Sequence, residues 1–401
     1  MSVQRHWGLY SQLSGFYFIY FITAGAFVPY WPVYLHSLGY APAQIGIALG
    51  TVGLARVVMP LVWGALGDRL GRRMQLIAGA MFMAALFIGS MPYASSFAAL
   101  LLLHLGYAFF WNAAMPGFDV VTLGHVSARG LDYPRIRLWG SVGFIVAVVG
   151  LGPVLDRAGL APVPWIMVGG LLVMASCGWL IPDGGALRAP APAAAGEFLA
   201  RARQPVVLAL LASCFLTQVS FAPFYGFFSL FMSSHGYDNA VIGSLWGVGV
   251  VSEVGVLIFA GRLISHLGAR AVFLLALASA ALRWLAMALL IDNLPWLIVT
   301  QLLHLSSGGL YQAVTIHFVH RLFPEHMQGR AQALLMAASF GLGGAVGNYS
   351  SGLLWGADGA HVYLLAAGVA TLAFAVAWRG VKGVMLLTAP ADASPQTSLR
   401  N

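Results

Sequence analysis

The chain has 401 residues, of which 60% are hydrophobic and 8% charged, with a formal net charge of +8. Soluble chains carry about 25% charged residues, so this composition excludes a soluble globular enzyme and specifies a protein that crosses a membrane many times. The positive charge is not a nucleic-acid patch, because its placement follows the alternation of apolar stretches and loops.

Arg5 precedes an apolar stretch too long for the core of a cleaved signal peptide, so that stretch reads as the first span. Stretches of spanning length fall at residues 11–35, 42–64, 74–92, 96–124, 136–158 and 163–182. An Ala-, Pro- and Arg-rich segment follows at 183–204, then six more stretches at 205–233, 239–264, 269–290, 294–320, 328–355 and 360–380. The expectation is an all-α membrane protein with twelve transmembrane helices in two six-helix bundles, residues 1–182 and 205–383. A cytoplasmic linker, 183–204, joins them, and 384–401 form a cytoplasmic tail. Of the 20 Lys and Arg residues, 17 fall in tails and loops on one side of such a chain and Arg157 alone falls on the other. That bias places both termini in the cytoplasm of a cell (inner) membrane protein. Cys177 and Cys214 lie inside apolar runs and read as packing residues without a disulfide.

Residues Gly64–Arg73, GALGDRLGRR, place four charges between two lipid-length stretches. They must meet water in a very short loop, with Asp68 paired to a nearby arginine or facing the next helix N-terminus. The glycines allow close helix approach. A shift of 197 residues superposes Gly39-Tyr40 on Gly236-Tyr237, Ile45-Gly46 on Ile242-Gly243, Gly64 on Gly261 and Arg73 on Arg270. The second copy reads GRLISHLGAR and carries Ser265 where the first has Asp68. A repeat of half the chain length marks a transporter built from two parallel halves.

Ionisable groups inside spans cost several kcal/mol unless paired or hydrated, so each is a candidate functional residue. At about 1.5 Å per residue, Arg56, Glu253, Arg283 and His304 all fall near mid-membrane. The 197-residue shift maps Arg56 onto Glu253. The competing account is a structural ion pair for the charged three and a satisfied core residue for His304. Asp119 and Arg137 lie nearer the cytoplasmic ends of the fourth and fifth spans, where a simple interfacial salt bridge competes. The first span carries Tyr17, Tyr20, Phe27, Tyr30 and Trp31, and the seventh carries Phe221, Phe224, Tyr225 and Phe228. A few of these facing inward would stack a ring-bearing solute.

The decapeptide resembles the signature loop of the major facilitator superfamily. The stretch Asn112 to Asp119, followed by Arg135-Ile-Arg137-Leu-Trp-Gly140, is similar to the corresponding stretch of its lactose permease branch. In that branch a carboxylate followed eighteen residues later by an arginine grips the substrate, which implies that role for Asp119 and Arg137. Arg283 and His304 fall where the branch carries its proton-coupling Arg and His, and Glu253 lies about one turn from its helix 8 glutamate. Three positions depart from it: Phe144 replaces the sugar-stacking tryptophan, Ser307 the proton-carrying glutamate, and Gln301 a lysine. These changes weaken lactose as substrate and fit better the phenylpropionate permeases, which the phrase Arg135 to Phe144 and the run Gln301-Leu-Leu-His304 resemble.

The resemblance implies a proton-coupled importer of a small organic solute, an aromatic carboxylate such as 3-phenylpropionate, acting as a monomer by alternating access. Asp119, Arg137, Phe144, Arg56, Tyr30 and His304 are the expected solute contacts. Glu253 is the expected proton carrier, Arg283 the group that discharges it, and His304 a polar partner. Gly64, Asp68, Arg69, Gly71, Arg72 and Arg73 form the expected conformational switch. The partners are the solute, protons and the bilayer; no nucleic acid, cofactor or metal is expected, and no nucleotide-binding loop is visible. A sugar or nucleoside proton symporter is the alternative, and sodium coupling stays open. A drug efflux antiporter is weaker, because its glycine-rich run is only partly matched: Gly152-Pro153 is present, but Val148 and Val154-Leu155 break the pattern.

Overall fold

The computed structural model describes residues 2–184 and 195–382, with side chains from Gly8 in the first segment and from Gly196 in the second. The expected tail 384–401, the middle of the linker with Arg188, and the Arg5 side chain lie outside the described residues. Among the described residues there is no β-strand. Apolar chains in lipid satisfy their backbone groups within helices, and the described spans do so.

The first half comprises α1 (Ser2–Ser37), α2 (Pro42–Leu70) and α3 (Arg73–Ser90), then α4 (Phe97–Trp111) and α5 (Ala114–Arg129) in one crossing, then α6 (Tyr133–Ala158) and α7 (Val163–Leu180). A short α8 (Ala195–Ala202) precedes the second half: α9 (Pro205–Ser234), α10 (Asn239–Leu267), α11 (Ala269–Leu289), α12 (Leu294–Leu302), α13 (Tyr311–Leu322), α14 (Glu325–Met336), α15 (Gly344–Leu353) and α16 (Ala360–Gly380). Among the described residues, ten helices are long and apolar enough to cross a membrane. The other two crossings are interrupted by π-helical segments, Leu305–Leu310 between α12 and α13 and Ala337–Gly343 between α14 and α15. These complete twelve crossings in two six-helix bundles. Such interruptions recur at functional sites because they turn side chains off the regular helical register.

The Gly64–Arg73 stretch is more helical than a loop reading allows. α2 runs on through Leu70, and the turn is only Gly71 and Arg72, with Gly71 in the left-handed region at φ 64°. Asp68 pairs with Arg73 across this turn, within the first half. In the second copy Ser265 donates to the Arg262 carbonyl of its own helix at 2.8 Å, and Arg270 reaches the Trp378 carbonyl at 2.8 Å. The linker also holds structure. Phe198 of α8 packs against Phe323, with the Arg330 guanidinium 4.5 Å from the Phe198 ring centre.

The halves meet along α1–α9, α2–α15 and α6–α10. Glycines set the spacing of the last two seams. A Cβ on Gly46 would strike Gly352, one on Gly53 would strike Ala345, and one on Gly152 would strike Ala240. All lie toward the face opposite the Gly64–Arg73 turn. On the turn's own face, α5, α13 and α14 make no sustained contact across the halves among the described residues. The two bundles are therefore sealed at one face and part toward the other, which carries the basic turns.

Candidate functional site

The seam encloses a cavity of about 270 Å³ lined from both halves. Phe27, Leu49, Val52 and Arg56 contribute from α1 and α2; Gln218, Tyr225, Phe340 and Asn348 contribute from the second half. Arg56 is exposed into this space, and among the described residues it makes no hydrogen bond or ion pair. The π-helical segment Ala337–Gly343 supplies Phe340.

A chain of buried polar groups lies in the second half. Arg283 on α11 is 0% exposed. Its Nη2 donates to Gln301 Oε1 at 2.8 Å and its Nη1 to His304 Nδ1 at 2.9 Å. A guanidinium can only donate, so Nδ1 must accept and the proton of a neutral imidazole sits on Nε2. His304 Nε2 lies 3.2 Å from Glu253 Oε2, and donates to that carboxylate. The Glu253 side chain is 24% exposed and His304 4%. Arg283 is further held over the rings of Phe224 at 4.1 Å and Trp284 at 4.7 Å. Such cation–π contacts contribute about 2 kcal/mol when desolvated.

Local sequence makes this chain possible. The π-helical run Leu305–Leu310 follows His304 directly, and its two glycines leave room on either side. A Cβ on Gly308 would meet the His304 ring at 2.6 Å, and one on Gly309 would meet Glu253 and Val256 of α10. Ser307 is buried and donates to the Leu303 carbonyl at 3.0 Å, so it takes no part in the chain.

A second cluster sits in the first half. Asp119 Oδ1 accepts from Tyr17 at 2.5 Å and from Tyr133 at 3.2 Å. Arg137 lies with its guanidinium carbon 4.3 Å from the Phe21 ring centre and 5.4 Å from that of Tyr17. No ion pair within 4 Å joins Asp119 to Arg137 among the described residues, so the expected pair is not formed in this state. Two phenol donors already serve the carboxylate, and the guanidinium is drawn onto aromatic faces. The other Asp119 oxygen has no hydrogen-bond partner among the described residues. Phe144 meets Trp246 of the second half edge-on at 6.2 Å, and Trp246 packs on Phe224 at 4.4 Å. An aromatic wall thus runs from the seam to Arg283.

The sequence profile of the MFS_1 like family matches residues 10–366. The chain belongs to this family. It is a transporter of the major facilitator superfamily and not an enzyme. It is 28% identical over 361 residues to the probable 3-phenylpropionic acid transporter of Escherichia coli (strain K12), covering 88% of this chain and 93% of the relative. It is 30% identical over 363 residues to the maltose permease of Geobacillus stearothermophilus, covering 86% and 88%. Among solved structures, the nucleoside transporter NupG superposes with a TM-score of 0.80 at 17% identity, covering 94% of this chain and 99% of that one. That likeness shows the fold.

Within this family fold, several expected site residues sit elsewhere than the cavity. Tyr30 is fully buried, and its hydroxyl donates to the Val148 carbonyl at 2.7 Å. A Cβ on Gly243 of α10 would strike both groups, so Tyr30 belongs to the closed seam. Glu253 does not touch Arg283 directly, because the His304 ring fills the space between them. Gln218, Phe340 and Asn348 line the cavity without having been singled out from the sequence, and Tyr225 lines it with them. Tyr225 alone carried a signal, as one aromatic among many in the seventh crossing.

Proposed function

We propose that this transporter imports a small aromatic carboxylate together with a proton, by alternating access between its two halves. The observation that carries the reading is Arg56. It is a guanidinium in an inter-half cavity, without an ion pair among the described residues, beside Phe27, Tyr225 and Phe340. A carboxylate would accept a bidentate pair of hydrogen bonds from it, and the rings would stack the aromatic body. The cavity volume, about 270 Å³, lies just below the usual range of ligand pockets, roughly 300–1,000 Å³, and suits one ring better than a disaccharide. Arg137, also without an ion pair among the described residues, offers a second cation near the aromatic wall, with Asp119, Phe144 and His304 as further contacts. The relative named for 3-phenylpropionic acid agrees with this chemistry.

The proton site of this proposal is Glu253. Its carboxylate is held by one hydrogen bond from neutral His304, which Arg283 keeps neutral by donating to Nδ1. Protonating Glu253 weakens a charge-assisted bond and loosens that hold. Rocking of the halves would move Glu253 between a hydrated and a partnered setting. The basic face is taken as cytoplasmic, with both termini there, and the protein as a monomer in the inner membrane.

The test is uptake of labelled 3-phenylpropionate by vesicles containing the protein, with competition by benzoates, sugars and nucleosides. The acid should be accumulated, and Arg56→Gln should weaken its apparent affinity by roughly ten- to a hundredfold, the range for losing a charged hydrogen-bond donor. Uptake of a neutral sugar or nucleoside that aromatic acids do not inhibit would overturn the reading. That alternative has one observation in its favour: the amides of Gln218 and Asn348 line the same cavity, and Asn348 Oδ1 is buried without a partner among the described residues.

A further inference from the structure

The sealed face is closed by two seams related by the internal repeat, and they are closed differently. At the α6–α10 seam, Asp156 at the end of α6 reaches into the other half. Its Oδ1 accepts from the Asn239 backbone N–H at 2.8 Å and from the Asn239 side-chain amide at 2.9 Å, and its Oδ2 accepts from the Ala240 N–H at 3.0 Å. The two backbone N–H groups are orphan donors of the first turn of α10, where a carboxylate is favoured by both hydrogen bonding and the helix dipole. The N-cap residue of α10, Asp238, makes no side-chain capping bond of its own. The cap of a second-half helix is supplied by the first half.

The α2–α15 seam has the same glycine packing and no such bond. A Cβ on Gly352 would strike the Pro42 carbonyl as one on Gly152 would strike the Asn239 carbonyl. Four residues beyond Gly152 stands Asp156; four beyond Gly352 stands Gly356, which has no side chain. The 197-residue shift puts Pro42 on Asn239, and proline has no N–H to donate. The repeat thus removes the acceptor and the donors of the Asn239 position on one side, leaving only the Ala43 N–H in place of that of Ala240, and keeps acceptor and donors on the other.

We propose that Asp156 is a latch of the closed face: its hydrogen bonds to the first turn of α10 bias the transporter toward the state open on the basic face. They must break for the opposite face to open, whereas the α2–α15 seam parts by loss of packing alone. At the other face Asp68 is paired within its own half in this state, and makes no contact across the halves among the described residues.

The latch is tested without solute, by spin–spin distances between labels at Ala161→Cys and Asp292→Cys on the sealed face, in a background with Cys177→Ala and Cys214→Ala. Asp156→Ala should raise the ratio of the longer-distance to the shorter-distance population about tenfold, the size expected for losing a charged cap. Asn239→Pro copies the repeat's own residue at a first-turn position that tolerates proline; it removes two of the three bonds and should give a rise in the same direction, smaller than that of Asp156→Ala. The two together should give no more than Asp156→Ala alone, because that substitution already removes every bond that Asn239→Pro removes. Unchanged distances in both single variants, or a double variant that shifts by the product of the two, would overturn the proposal. Should Asp156→Ala not fold, Asn239→Pro and Asp156→Asn, with a smaller expected rise, decide it.

Discussion

His304 has two ring nitrogens and two different neighbours, and this determines what it can do. Arg283 donates to Nδ1, so a second proton on the ring would set two donors against each other 2.9 Å apart. His304 therefore conveys the position of Arg283 to Glu253 without itself carrying charge in this state. Glu253→Gln replaces the carboxylate by a neutral acceptor and should mimic the protonated form. Exchange of solute without a gradient should persist in that variant, while uphill accumulation driven by a proton gradient disappears. Uphill accumulation by Glu253→Gln would move the proton to Asp119. Depth along the spans brought Glu253, Arg283 and His304 into one group from the sequence. It did not order them, because residue spacing fixes height along a helix but not which side chain stands between two others.

Two of the crossings that carry the site, those with His304 and Phe340, are irregular where they do so. The π-helical run after His304 has Gly308 against the imidazole and Gly309 against α10. Gly308→Ala should push the ring off Arg283 and uncouple transport from the proton, leaving a phenotype like Glu253→Gln. Gly255→Ala, on α10 with open space around it, should transport normally in the same uptake assay; equal loss in both would mean that helix propensity and not the ring contact is at work. Neither π-helical segment was legible in the sequence, since apolar runs report length and not hydrogen-bond register. The twelve crossings were legible, because an unbroken apolar length is what a bilayer demands. Asp156 was passed over because it lies at a span end, where a carboxylate is unremarkable until its partner in the other half is known.

At the scale of the molecule, two bundles joined by glycine seams are sealed at one face and separated at the other. Asp68 pairs with Arg73 across the turn that joins α2 to α3, so Asp68→Asn should slow interconversion while leaving solute binding within a few fold. Lost binding with intact exchange would contradict a switching role for this turn. The repeat was readable at this scale from matched glycines, since close approach leaves no other residue possible at Gly46 and Gly243. The cavity was only half readable: Arg56 stood out as a charge in an apolar span, whereas Gln218 and Asn348 are neutral and gave no contrast. The most direct measurement of the whole account is the external pH of lightly buffered vesicles containing the transporter, after addition of 3-phenylpropionate. The account predicts alkalinisation of the medium that requires both Arg56 and Glu253, with Glu253→Gln retaining exchange of the acid. Entry of the acid through wild-type protein with no proton movement would contradict it.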